Sequence, residues 1–159
     1  MSAPNDRSWV DAYRREKAME GHCLCGAVTV RVAGPHLGAV GVCHCRMCQR
    51  WNGTIWGAFE AEPTAVTVTG EVARYASTHF SERAFCPRCG THLWLRDTDT
   101  DDAPYELMPG LFDGAAEFPL ISEIYTDRAP AYAPLAGDHR RKTRAEYETK
   151  NRHIEGDLP

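Results

Sequence analysis

The sequence lacks any apolar run of membrane-spanning length, and residues 1–20 carry charged side chains rather than a hydrophobic core. A signal peptide and a transmembrane helix are therefore not expected. No run of lysine and arginine is longer than three residues, and the formal net charge is −4. Nucleic acid and anionic membrane surfaces are poor partners for such a chain, because both are bound through basic patches. A small molecule or a protein remains as the partner, and the cytosol is the expected location.

The sequence also lacks internal repeats and low-complexity linkers. Hydrophobic residues make up 43% and charged residues 25%, which excludes a mostly disordered chain. At 159 residues, one domain with one core is the simplest organisation.

Short β-rich segments follow one another along the chain. Val28, Val30 and Val32 alternate with polar residues and are followed by Gly34-Pro35, a pattern that predicts a strand and a turn. Seven further segments predict strands: 40–42, 54–59, 65–69, 72–76, 92–96, 105–108 and 121–125. Strands this short and this closely spaced predict a mainly β protein with antiparallel sheets. The terminal segments are expected to be short helices or irregular.

Seven cysteines lie between positions 23 and 89, in groups of two, three and two. Thiols in the cytosol stay reduced, so a cysteine-rich chain there indicates metal binding rather than disulfides. A disulfide framework remains an alternative, although an odd number of cysteines would leave one thiol over. An iron–sulfur cluster is a further alternative, because thiolates bind both iron and zinc.

The first and third groups together supply four thiolates. Cys23-Leu24-Cys25 can direct two sulfurs to one side of a strand, and Cys86-Pro87-Arg88-Cys89 can bring two together in a turn that Gly90 completes with a positive φ. Four thiolates around one ion are typical of structural zinc. We therefore predict that Cys23, Cys25, Cys86 and Cys89 form a closed site.

The middle group, Cys43-His44-Cys45-Arg46-Met47-Cys48, holds three thiolates. Three protein ligands with one open position are typical of catalytic zinc. A histidine could instead complete a second structural site. His44 is disfavoured, because on an extended chain it would point away from its neighbouring cysteines, whereas His22, His79 and His92 stay open. For a substrate carboxylate, Arg74 and Arg83 are possible bidentate partners, although a surface role is the default.

Three segments together resemble a known family: 21–28, which begins Gly-His-Cys-Leu-Cys-Gly, 43–48, and 83–91, which contains Cys-Pro-Arg-Cys-Gly. They are similar to the glutathione-dependent formaldehyde-activating enzyme family, also named for centromere protein V. The resemblance implies a β-tent fold over 21–135, preceded by an N-terminal extension (1–20) and followed by a charged C-terminal tail (136–159). It implies structural zinc on Cys23, Cys25, Cys86 and Cys89, and a second, catalytic zinc on Cys43, Cys45 and Cys48, about two ions per chain.

The resemblance also implies an activity, that of a carbon–sulfur lyase. Glutathione or another small thiol would add to formaldehyde or a related electrophile to give S-hydroxymethylglutathione or its analogue. Family members often carry His-Ile and a later Trp where this chain has Glu123-Ile124 and Tyr132. The alternative function is a non-catalytic binding or scaffold module that uses zinc only for folding.

Overall fold

In a computed structural model, which describes residues 6–153, the protein is mainly β with a few short helices, as the sequence predicts. The strands in chain order are β1 (Arg14–Arg15), β2 (Met19–His22), β3 (Thr29–Val32), β4 (His36–Leu37), β5 (Val40–Cys43), β6 (Trp56–Ala61), β7 (Val66–Thr69), β8 (Ala73–Ala76), β9 (Ser81–Phe85), β10 (His92–Asp97), β11 (Tyr105–Leu107), β12 (Leu120–Ile124) and β13 (Arg140–Lys142). The α-helices are α1 (Arg46–Asn52) and α2 (Arg144–Glu148), and 3-10 turns cover Ser8–Tyr13, Pro63–Ala65, Pro109–Leu111, Asp113–Ala115 and Thr126–Arg128.

Two compact units alternate along the sequence. The four-cysteine unit comprises 13–39 and 58–118, and it contains the first and third cysteine groups. The three-cysteine unit comprises the described parts of 1–12, 40–57 and 119–159, and it contains the middle group. The division into 1–20, 21–135 and 136–159 stays a prediction.

The four-cysteine unit contains two antiparallel arrangements of strands. One has the order β2-β3-β7, and the other runs β6-β11-β10-β9-β8, with β4 beside β6 and β1 beside β4. Val28, Val30 and Val32 are fully buried, so the predicted alternation sets the inward face of β3. Trp94 and Leu107 are fully buried in the same apolar cluster. This core supports the strands from which both cysteine turns of the unit extend.

The three-cysteine unit differs from the antiparallel expectation, because its strands β5, β12 and β13 pair in parallel with β12 in the centre. Cys43, the last residue of β5, lies opposite Ile124, and Glu123 lies opposite both Val42 and Arg141. Parallel neighbours bring residues that are far apart in sequence to the same level of a sheet. The register therefore places Glu123 next to the start of the middle cysteine group.

The described part of the C-terminal segment, 137–153, contains a strand in addition to a short helix. It contributes β13 to the parallel sheet and then forms α2, where Thr143 and Glu146 make a reciprocal capping box. Tyr125 is fully buried, and its hydroxyl donates to Glu148 Oε1 at 2.7 Å. Within residues 6–153, no helix combines the length and hydropathy needed to cross a membrane.

Candidate metal centres

The four-cysteine group, Cys23, Cys25, Cys86 and Cys89, comes together as predicted. Its four sulfurs all lie within 4.8 Å of one another. Cys23 Sγ is 3.6 Å from Cys25 Sγ, which is in turn 3.8 Å from Cys86 Sγ. Zn–S bonds of about 2.3 Å in a tetrahedron place sulfurs about 3.8 Å apart. These two separations match the spacing that a zinc ion requires, and the role of the four thiols as ligands stays a prediction.

Two tight turns set this spacing. The Gly26 N–H donates to the Cys23 carbonyl at 3.0 Å, and the Gly90 N–H donates to the Cys86 carbonyl at 2.9 Å. Gly90 has φ 74°, the positive value that the Cys-Pro-Arg-Cys-Gly motif predicts. Thr91, which sequence reasoning did not single out, accepts the Leu24 N–H at 3.0 Å and lies 3.1 Å from Cys89 Sγ. The Thr91 side chain thus contacts both cysteine turns of the group.

The thiols of the four-cysteine group differ in pKa. The Thr91 hydroxyl and backbone lower the pKa of Cys89 to about 5, favouring its thiolate. The Ala27 N–H lowers the pKa of Cys25, but burial and the thiols of the other three members outweigh it and raise that pKa to about 11. Four thiolates this close repel one another, so the fully ionised group needs a cation in its midst.

The three-cysteine group, Cys43, Cys45 and Cys48, also comes together, with its sulfurs within 4.8 Å of one another. All three side chains are buried, at 4%, 1% and 3% exposure. No histidine or carboxylate from the described residues of the three-cysteine unit joins them, and a fourth ligand from His22, His79 or His92 stays an alternative prediction. The structure thus brings together three thiols that could hold zinc with a fourth position left to another ligand.

The junction between β5 and α1 positions these thiols. Cys43 ends the strand, and Cys45 is the N-cap of the helix, where its sulfur accepts the Cys48 N–H at 3.4 Å. Gly53 closes the helix with φ 77°. The contacts with the Cys45 and Cys48 thiols, followed by burial, raise the pKa of Cys43 well above its ordinary value of 9.0. A divalent cation would offset this repulsion between thiolates.

A buried polar network lies beside the three-cysteine group. His44, between two of the cysteines, is fully buried, and its Nε2 lies 2.7 Å from Glu123 Oε1. The other carboxylate oxygen lies 2.7 Å from His139 Nε2 and 3.3 Å from Arg141 Nε. The carboxylate thus fixes the imidazole of His44 and, with it, the backbone between Cys43 and Cys45. Sequence reasoning noted Glu123 only as a departure from the family pattern and missed His139.

Glu123 has a pKa below its ordinary value of 4.5. Burial raises this pKa, but the hydrogen bonds from His139 and His44 outweigh that effect and favour the carboxylate. A lowered pKa in the folded state stabilises the fold above pH 4.5, and this contribution is lost as the pH falls through the folded-state pKa. Acid should therefore weaken the three-cysteine unit.

We expect Glu123→Gln to destabilise the protein by about 1.5–3 kcal/mol at pH 7, since it removes charge from a buried, hydrogen-bonded carboxylate. Urea unfolding of the variant and the parent protein measures the difference. The difference should shrink as the pH falls from 4.5 through the lowered folded-state pKa of Glu123, below which the parent carboxylate is also neutral. Exposed Glu71→Gln serves as the control. A difference that is independent of pH would show that Glu123 acts through packing alone.

An open cleft of about 540 Å³ lies along α1. Its lining residues are Arg46, Gln49, Arg50, Gly53 and Arg128. The arginines considered from the sequence lie elsewhere: Arg83 is 4% exposed on β9, and Arg74 lies with its guanidinium 5.6 Å from the Trp94 ring centroid. The expected surface role is therefore wrong for Arg83, because β9 buries this residue.

The fold and the two thiol groups define a mainly β protein with two sets of cysteines that could hold zinc. The family model described as glutathione-dependent formaldehyde-activating enzyme matches residues 18–128, well over half of the chain. The chain belongs to this family.

Individual proteins agree with this assignment. An uncharacterized lyase of Schizosaccharomyces pombe is 32% identical over 114 residues, which cover 70% of this chain and 80% of the relative. A Halomonas elongata protein, provisionally named a glutathione-dependent formaldehyde-activating enzyme, is 34% identical over 88 residues, or 50% of this chain and 56% of its own length. A crystal structure of a Rhodobacter sphaeroides protein is similar with a TM-score of 0.50 at 23% identity, covering 64% of this chain and 99% of that one. The last similarity concerns the fold alone.

Proposed function

We propose that this protein is a zinc-dependent carbon–sulfur lyase that interconverts glutathione plus formaldehyde with S-hydroxymethylglutathione. The observation that carries the proposal is the set of three buried thiols with no fourth side-chain ligand among the described residues of the three-cysteine unit. Membership in a family named for this reaction supports it, as does a relative named as a lyase. Cys23, Cys25, Cys86 and Cys89 would hold a structural zinc.

The reaction is an addition that needs no oxidant or reductant. A carbon–sulfur bond forms, the carbonyl π bond breaks, and the proton lost by the thiol ends on the former carbonyl oxygen. Bound by Cys43, Cys45 and Cys48, zinc would supply an open coordination position that lowers the pKa of a substrate thiol. The reverse direction cleaves the same carbon–sulfur bond.

The chain itself contributes orientation and exclusion of water. Burial of the three-cysteine group favours a thiol over water at the open position, because a desolvated site strengthens the attraction between a cation and a thiolate. The contact between His44 and Glu123 holds the segment that carries Cys43 and Cys45. The chain would thus hold a reactive thiolate and its electrophile close together in one orientation. Such proximity can by itself lower the barrier of an addition reaction substantially.

Two measurements test this function together. Elemental mass spectrometry on protein purified without chelator should give about two zinc ions per chain. Exchange NMR should show the protein accelerating the interconversion of glutathione, formaldehyde and their adduct by about tenfold or more, equal to about 1.4 kcal/mol of barrier lowering. The same mixture without protein is the baseline. Two bound zinc ions with an unchanged exchange rate would contradict the lyase and favour the scaffold module.

A further inference from the structure

The arginine cleft, formed by Arg46, Gln49, Arg50, Gly53 and Arg128, has no place in the reaction described so far. Its volume of about 540 Å³ is within the range of small-molecule sites, roughly 300–1,000 Å³. Three of its five lining residues are arginines, and none is acidic. A cleft of this size and charge selects an anionic ligand, because guanidinium groups pair best with carboxylates and phosphates.

The arginines of the cleft lie on α1 and on the turn Thr126–Arg128, and the side-chain amide of Gln49 connects the two. Gln49 on α1 donates from Nε2 to the Arg128 carbonyl at 2.8 Å, which fixes the turn Thr126–Arg128 beside the helix. Arg46 and Arg50 lie one turn apart on α1, and like charges at this spacing repel each other. The cleft thus gathers three guanidinium groups, two from the helix and one from the turn.

The same glutamine connects the cleft to the three-cysteine group. Gln49 Nε2 also donates to the carbonyl of His44 at 2.7 Å, and His44 lies between Cys43 and Cys45. Arg46 and Cys45 are adjacent, and Gln49 and Arg50 follow Cys48 directly. Since a helix rises about 1.5 Å per residue, Arg46 and Arg50 lie within roughly 8 Å of Cys45 and Cys48 along the axis of α1.

We infer that the arginine cleft binds the carboxylates of the thiol substrate while its sulfur is held at the three-cysteine group. Arg46, Arg50 and Arg128 are then specificity-determining residues, and the substrate class is a thiol with carboxylates a few bonds from its sulfur. The inference rests on the proposed function and adds the part of the site that selects the thiol. Neutral thiols of similar size should bind less well.

Titration with S-methylglutathione tests the cleft separately from the chemistry. This compound keeps both carboxylates of glutathione, but its sulfur has no proton to lose and cannot become a thiolate. Isothermal titration calorimetry should show binding that weakens about tenfold in a combined Arg46→Gln and Arg50→Gln variant, equal to about 1.4 kcal/mol. Esterifying both carboxylates of the ligand should weaken binding to the parent protein to a similar degree.

Arg31→Gln and Arg14→Gln together provide the matched control, because they remove the same charge from exposed positions on β3 and β1. This control variant should bind S-methylglutathione as the parent does. Equal affinity of the parent, control and cleft variants would overturn the inference, as would tighter binding of inorganic phosphate than of S-methylglutathione. Zinc content and circular dichroism verify that the cleft variant is folded.

The binding experiment on the arginine cleft and the test of the lyase reaction can fail independently of each other. Cleft-dependent binding without acceleration of the formaldehyde reaction would support the inference about the ligand and contradict the reaction. Acceleration that is equal for glutathione and for 2-mercaptoethanol, in parent and cleft variant alike, would support the reaction and overturn the cleft's role.

Discussion

Replacing Cys86 with serine is expected to remove one zinc ion and to unfold the four-cysteine unit. Cys86 is fully buried, and its sulfur lies 3.8 Å from that of Cys25. Structural zinc contributes about 10–16 kcal/mol in small zinc-binding peptides, whereas a whole domain is stable by only about 5–15 kcal/mol. Loss of the ion should therefore exceed what the apolar core of the unit can offset.

Hydrogen exchange of the backbone amides in β9 and β10, together with elemental mass spectrometry, measures this effect. Both strands should lose their protection in Cys86→Ser, and the zinc content should fall from about two ions per chain to about one. Arg88→Ser changes an exposed residue in the same turn and should leave both quantities as in the parent. A protected Cys86→Ser protein with two zinc ions would show that this thiol is not a structural ligand.

Local patterns in the sequence were sufficient for much of the fold and for the membership of both cysteine groups. The alternation of Val28, Val30 and Val32 reflects the period of a strand, which is a property of neighbouring residues. The spacing of Cys86, Cys89 and Gly90 likewise reports a single turn. Pairing the first and third groups needed only the number of thiols that zinc prefers.

The parts that were missed depend on contacts between distant segments. Glu123 and His44 are 79 residues apart, and so are Gln49 and Arg128. The parallel pairing of β5 with β12 creates the first contact, and no periodicity within either strand reports it. The spacing of Thr143 and Glu146 is a capping-box signal for α2 that could have been found in the sequence.

Cys45→Ser is expected to abolish the catalytic acceleration while the fold persists. A serine hydroxyl is a poor zinc ligand compared with a thiolate, so the three-cysteine group should lose its ion. Serine is nevertheless a preferred N-cap, and Cys45 is the N-cap of α1, so the helix should keep its start. The fold of the four-cysteine unit and its zinc should be unaffected, because its ligands are other residues.

The acceleration of glutathione–formaldehyde exchange should fall to the uncatalysed rate in Cys45→Ser and likewise in Cys48→Ser, with about one zinc ion per chain remaining. Met47→Leu provides a matched control in the same helix, since it conserves volume at a buried position that offers zinc no thiolate. It should keep two ions and the parent rate. If Cys45→Ser keeps the parent rate with only one ion bound, the reaction takes place away from the three-cysteine group, and the lyase mechanism proposed for it is wrong. A variant that loses both the rate and the protection of β5 and β12 would instead assign this group a role in folding, as in the scaffold alternative.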